Sequence, residues 1–376
     1  MAEVHQSVQA MSLAGAILPE FVRSEQEQPG TTNSFCATGT VPEVPPVLDM
    51  AQPGCGARMA DAATEWGFFQ VVNHGVPAAT IAELQRVGRT FFALPQEEKE
   101  RYAATDPTSG RSEGYGVGTK ASRNLEEGNK LWADFFYHYV APAAMVNHHI
   151  WPKNPASYRY GHIPNVRNCF HESTCVLSSP AGDMIDSREV TEEYAGNMLQ
   201  LTREMLEHLS VGLGVEKGAL MESLAGSEDE LVLLQKINSY PPCPQPDVIL
   251  GIGPHTDMGT LTVLLPDEVP GLQICKDGRW HDVEYVPEAL VVHIGDQIEA
   301  SSTRIVSNGR YKPGMHRAMV NKEKTRMSWP LFVEPPPELV VGPHPQLLAA
   351  ADNGLTKYKT KKYKDYQYCK LNKLPQ

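Results

Sequence analysis

The sequence predicts an α+β fold in which a mostly helical first half packs around an all-β second half. Two observations carry this reading. Thr80–Phe92 places Ile81, Leu84, Val87 and Phe91 at helical spacing, and residues 190–215 do the same with Tyr194, Met198, Leu201, Met205 and Leu209. From about Leu231 to Val333 the texture changes to short β-rich runs, LTVLL, GLQIC, LVVHIG and RMSWPLFV, separated by Gly, Pro and Asp. Short strands with turn signals, not alternating with helices, suggest a sandwich or barrel. No internal repeat is visible.

Taken in order, Leu18–Phe21 and Glu25–Pro29 read as a short helix stopped by proline. Val41–Met50 is Pro-rich and then apolar, and leads into a strand. Ala60–Glu65 reads as a short helix, and Gly67–Gly75 as a strand closed by a turn. Gly114–Gly118 is Gly-rich but lacks the Lys-Ser/Thr of a P-loop, so it reads as a flexible loop. The Lys- and Tyr-rich tail Lys357–Lys373 reads as a solvated helix, with a lid over a substrate site as the sharper alternative. The expected division is a mostly helical region at 1–228, a β domain at 229–335 and a tail or lid at 336–376.

Composition narrows the function. The 376 residues are 41% hydrophobic and 21% charged, which is globular and not disordered. Thirty-three Lys and Arg against 45 Asp and Glu leave a formal charge of −12, unsuited to sequence-independent nucleic-acid binding. No apolar run approaches the roughly 18–20 residues of a membrane span. The first residues, MAEVHQSVQA, lack the pattern of a signal peptide. Seven cysteines, an odd number, read as reduced thiols of a cytoplasmic protein, expected to be monomeric.

The chemistry concentrates in the second half. In Gly253-Pro254-His255-Thr256-Asp257, residues i and i+2 of a strand face the same way, so an imidazole and a carboxylate can converge. A third ligand must come from elsewhere, and His316, at the start of another apparent strand, is the candidate. Two His and one carboxylate with open positions suit non-haem Fe(II), although Zn²⁺ accepts the same donors. Arg326 and Ser328 share a strand face and together suit a carboxylate. Tyr240, in Asn238-Ser239-Tyr240-Pro241-Pro242-Cys243-Pro244, can add a phenol. The bland alternatives are a structural histidine and a surface ion pair.

In this order, H-x-D, a distal His and R-x-S, preceded by N-x-Y-P-x-C-P, resemble the plant 2-oxoglutarate- and Fe(II)-dependent dioxygenases. The resemblance covers nearly the whole chain: Trp66–Phe69 with Asn73–Pro77, Val269–Gln273, His293–Asp296, Asn321–Lys324 and the Lys364–Tyr366 and Lys370–Leu374 tail all match, the last as in flavonoid-pathway members. It implies a double-stranded β-helix, or jelly roll, with surrounding helices. It also implies Fe(II) on His255, Asp257 and His316, and 2-oxoglutarate on Arg326, Ser328 and Tyr240. O₂ would be the other co-substrate and ascorbate the reductant. Within the flavonoid branch the chain resembles type I flavone synthase or flavanone hydroxylase, flavonol synthase and anthocyanidin synthase. Phe332, Glu334, Lys236 and Phe135 fall at that branch's pocket positions. An aromatic ring can stack on a polyphenol, and Glu or Lys can bond its hydroxyls. The alternative is two core aromatics and a solvated ion pair.

The implied substrate is a flavanone, desaturated to a flavone or hydroxylated at C2 or C3, with conversion of a dihydroflavonol to a flavonol nearly equal. An oxygenase of hormone or alkaloid metabolism and a non-catalytic binder of small phenolics are the rivals. A zinc hydrolase is weak, since no H-E-x-x-H occurs. Two stretches depart from the family. Residues 160–187 interrupt segments that are expected to be nearly contiguous, and their Cys169, Cys175, His162 and His171 match no zinc spacing, so a surface loop is expected. Ala300–Arg304 is the second, expected to bulge outward and leave the His316 register intact.

Overall fold

The computed structural model describes residues 7–25, 27–29, 44–103, 113–118, 130–154, 190–227, 230–298, 310–342, 344, 346 and 360–374. Both stretches that depart from the family pattern, 160–187 and Ala300–Arg304, lie outside the described residues, as does the expected bulge.

The chain builds two facing sheets with helices on one outer side. The larger has eight strands. In chain order they are Val47–Asp49 (β1), Phe68–Val72 (β2), Gly114–Val117 (β3), Asp134–Ala141 (β4), Val232–Tyr240 (β5), Leu261–Pro266 (β7), Leu290–Ile294 (β10) and Arg326–Glu334 (β12). Their spatial order is β1-β2-β10-β7-β12-β5-β4-β3. The smaller has four: Ile252–His255 (β6), Leu272–Lys276 (β8), Arg279–Asp282 (β9) and His316–Ala318 (β11), in the order β6-β11-β8-β9. This is the jelly roll with surrounding helices. Val340–Val341 (β13) pairs with Lys361–Lys362 (β14).

Seven α-helices lie among the described residues: Val8–Ala14 (α1), Cys55–Glu65 (α2), Ala78–Phe92 (α3), Gln96–Glu100 (α4), Val190–Gly212 (α5), Ala219–Ala225 (α6) and Tyr363–Leu371 (α7). The helical stripes behave as their periodicity dictates. Leu84, Val87 and Phe91 of α3 and Tyr194, Met198, Leu201, Met205 and Leu209 of α5 are all buried in one core cluster. That cluster includes Phe69, Val71, Phe136, Leu233, Ile237, Leu261, Val263, Val292, Trp329, Leu331 and Val333, every one from the helix-facing side of the large sheet. Gly88 lets α3 approach, because a Cβ there would lie 2.5 Å from Trp329 Nε1. Residues from the opposite side, Phe68, Leu264 and Val291, meet Leu272 and Ile274 of the small sheet in a second cluster. The barrel is therefore filled at one end and polar at the other.

Several expectations need correction. The first half is not simply helical: β1 to β4 extend the large sheet at both edges. Gly114–Gly118 is not a flexible loop, for Gly114–Val117 is strand β3, antiparallel to β4. Its glycines serve packing, since a Cβ on Gly116 would lie 2.4 Å from the Phe135 ring. Of the expected N-terminal helix the described residues form only a 3₁₀ turn, Pro19–Phe21, while α1 begins unannounced at Val8 with Ser7 capping Ala10 N–H. The tail helix is not solvated all round: Tyr363 and Tyr366 of α7 are buried. The four described cysteines are free thiols. No helix among the described residues is long and apolar enough to cross a membrane.

Candidate active site

The polar end of the barrel collects the predicted donors. His316 opens β11 and lies directly opposite His255, the last residue of β6. Asp257 is not on that strand: β6 stops at His255, and the carboxylate arrives from the loop that follows. Convergence thus comes from a turn and not from strand alternation. One ligand atom from each of His255, Asp257 and His316 lies within 4.8 Å of the other two, so the three could hold a metal ion. His255 Nε2 is 3.7 Å from Asp257 Oδ1, and His316 Nε2 is 3.8 Å from Oδ2.

The remaining nitrogens set which atoms face inward. His255 Nδ1 sits 2.9 Å from Gly253 O, and His316 Nδ1 sits 2.8 Å from Gly314 O. A carbonyl can only accept, so Nδ1 carries the proton and each Nε2 keeps its lone pair toward the common point. Burial, reinforced by His316 on His255 and by His293 on His316, lowers both imidazoles to about 4. Burial alone would raise Asp257, but His316, His293 and His255 outweigh it and hold the carboxyl below the usual range. At neutral pH the cluster is two neutral imidazoles and one carboxylate, a donor set that suits a dication.

His293 was not among the predicted ligands. It is 2% exposed, its Nδ1 lies 3.3 Å from Asp257 Oδ2, and its ring stacks against Phe68 at 4.5 Å. A histidine inside the apolar run LVVHIG is the signal that marks it.

Arg326 and Ser328 lie on one face of β12, opposite Tyr240 and Asn238 of β5. Arg326 is 2% exposed. Its Nη2 donates to Tyr285 Oη at 3.1 Å, while Nε and Nη1 have no hydrogen-bond partner among the described residues. The guanidinium lies 5.0 Å from the Tyr240 ring centroid. A buried cation with two idle donors is costly unless an anion completes it. Gly271, at φ +150°, makes room for it, because a Cβ there would lie 2.9 Å from Arg326 Cδ. Tyr285 and Gly271 were not singled out from the sequence as site residues.

The four predicted pocket residues share the same inner face. Phe135 of β4 stands opposite Asn238, and Lys236 of β5 opposite Tyr137. Phe332 and Glu334 of β12 stand opposite Leu234 and Val232. Lys236 Nζ lies 4.6 Å from the Phe135 ring centroid, and burial lowers its pKa to about 8 against the pull of Asp257. Glu334 is buried, accepts from Gln367 Nε2 at 3.2 Å, and is pushed up to about 7 by burial, against Tyr363 and Gln367. Lys236 and Glu334 are therefore not a solvated pair.

Residues 230–335 match the 2OG-Fe(II) oxygenase superfamily, and residues 46–154 match the non-haem dioxygenase in morphine synthesis N-terminal family. Flavonol synthase 1 of Crocosmia x crocosmiiflora is 47% identical over 374 residues, covering 98% of both chains. Flavonol synthase/flavanone 3-hydroxylase of Petunia hybrida is 47% identical over 376 residues, covering 99% of this chain and 95% of its own. Among solved structures, JOX2 in complex with 2OG, Fe and JA superposes with a TM-score of 0.77 at 27% identity, covering 97% of this chain and 93% of its own.

Proposed function

The chain belongs to the 2OG-Fe(II) oxygenase superfamily and is a 2-oxoglutarate-dependent dioxygenase, and from that premise we propose that it oxidises the C2–C3 unit of a flavonoid. The observation that carries the reading is one barrel interior, in which a His-Asp-His cluster from the small sheet and its loop is enclosed with an anion-seeking arginine and an aromatic pocket of the large sheet that holds a half-buried lysine and a buried glutamate. In this reading His255, Asp257 and His316 hold Fe(II), which, with 2-oxoglutarate and O₂, supplies the oxidant. Arg326 and Ser328, with Tyr240, grip the distal carboxylate of 2-oxoglutarate. The guanidinium has two unpartnered nitrogens, Nε and Nη1, to offer it in a dry site, where charge-assisted hydrogen bonds are strong.

Phe135 and Phe332 offer flat faces to a polyphenol, and Lys236 and Glu334 offer hydrogen bonds to its hydroxyls. Which C–H is attacked depends on how these four residues seat the ring, since a displacement of about 1 Å redirects such chemistry. The names of the relatives weigh toward dihydroflavonol to flavonol conversion, with flavanone 3-hydroxylation as the companion reaction.

The test is incubation with Fe(II), ascorbate, 2-oxoglutarate and either a flavanone or a dihydroflavonol in air, with products read by mass spectrometry. A dihydroflavonol losing two hydrogens, or a flavanone gaining one oxygen, is expected. A flavanone losing two hydrogens makes it a flavone synthase instead. Succinate without any oxidised flavonoid overturns the substrate and keeps the oxygenase.

A further inference from the structure

The C-terminal helix reaches the metal loop, and the proposed mechanism leaves that contact unused. Tyr363, Tyr366, Gln367 and Lys370 of α7 follow at i, i+3, i+4 and i+7, one helical face. Lys370 Nζ donates to Thr256 O at 2.9 Å and to Thr256 Oγ1 at 2.8 Å, and it pairs with Asp296. Those three acceptors use every donor an ammonium has. An exposed lysine that merely drapes over a surface keeps its head in water instead. Tyr366 Oη donates to the same Asp296 carboxylate, which is buried.

Thr256 stands between His255 and Asp257, in the segment that has left β6 and joins no ladder. Asp296 N–H donates to Asp257 O at 2.9 Å, and Gln297 N–H to Gly259 O at 2.9 Å. Two loops, one carrying Asp257 and one following His293, are thus joined by backbone bonds and bolted together by one lysine from the far end of the chain.

We propose that Lys370 is a positioning residue for the metal loop, so that the C-terminal helix helps set the metal affinity of the barrel. This rests on the reading of His255, Asp257 and His316 as the metal ligands. Removing the ammonium frees Thr256 and leaves Asp296 with less compensation for its buried charge, so the aim of the Asp257 carboxylate loosens. Partners bonded directly to a ligand are typically worth about 10–100-fold in metal affinity, and Lys370, one contact further out, falls at the low end of that range.

The experiment is titration of the full chain with Co(II) alone, following both affinity and the visible absorption of the bound ion, with thermal unfolding of metal-free protein alongside. Lys370→Met is expected to bind Co(II) about tenfold more weakly, with an altered spectrum, and Lys370→Arg to recover part of the loss. Should Lys370→Met fail to fold, the double variant Lys370→Met/Asp296→Asn, which removes the buried charge with its partner, is expected to fold and still bind weakly. Either variant binding Co(II) with wild-type affinity and spectrum overturns the inference and leaves the metal site standing. Wild-type protein that binds no Co(II), or binds it equally well after His316→Ala, overturns the metal site and this inference with it.

Discussion

Along β12 two chemistries alternate. Met327, Trp329, Leu331 and Val333 belong to the core cluster under the helices, while Arg326, Ser328, Phe332 and Glu334 face the barrel interior. β5 repeats the pattern, with Leu233 and Ile237 under the helices and Lys236, Asn238 and Tyr240 inside. The helix side of these two strands is mostly apolar and close-packed: Gln235 donates to Pro330 O at 3.1 Å, while Gln235 Oε1 and Trp329 Nε1 lack hydrogen-bond partners among the described residues. The inner side carries the charged groups and more of the unmet hydrogen-bonding capacity: Arg326 Nε and Nη1, Asn238 Oδ1, Thr262 Oγ1 and His293 Nε2 lack hydrogen-bond partners among the described residues. One face is mainly apolar filling, and the other is mainly polar, with donors and acceptors that a ligand could meet.

Substitutions on the two faces should therefore separate cleanly. Asp257→Ala, at the inner end, is expected to lower turnover by more than about 100-fold, beyond the effect of outer partners, while metal-free thermal unfolding stays within a few degrees of wild type. Trp329→Ala, on the helix side, should do the reverse, costing about 3–5 kcal/mol of stability with 2-oxoglutarate affinity retained where the protein is folded. A Trp329 variant with lost 2-oxoglutarate affinity at full stability would erase the distinction.

Arg326→Lys keeps the charge and loses the planar fork. Its expected cost is about 1.5–3 kcal/mol, or roughly 10–100-fold weaker 2-oxoglutarate binding by calorimetry. An unchanged affinity would place the co-substrate elsewhere.

The last effect is a pH dependence and concerns Glu334. Its carboxyl holds its proton to about pH 7 in the folded state, against an ordinary value of 4.5. Protonation therefore favours the fold: the contribution is full below about 4.5 and is lost as pH rises toward 7. Denaturant unfolding of metal-free protein from pH 4.5 to 7 should show this decline, and Glu334→Gln should flatten it. The same decline in the Gln variant would assign it to another group.

Much of this was legible beforehand because it is local. A 3.6-residue period announces α3 and α5, a β-branched run announces β7 and β10, and the spacing of His255, Asp257, His316, Arg326 and Ser328 marks a site as soon as a barrel is assumed. Period-2 alternation in RMSWPLFV already separates the two faces of β12. The misreadings share one cause. Gly114–Val117 looks like a loop until Phe135 lies across it, and the tail looks solvated until Tyr363 and Tyr366 find the barrel.

The sequence by itself determined the family, the order of the chemical groups and, for Arg326 and Ser328, the strand face they share, since these depend on neighbours a few residues apart. Only the tertiary structure decided that Asp257 reaches the cluster from a loop, that Tyr285 bonds Arg326, that His293 crowds the carboxylate, and that Lys370 holds Thr256 from 114 residues away. Such contacts join groups distant in the chain. They are set by how sheets and helices close on one another, and no local pattern records that.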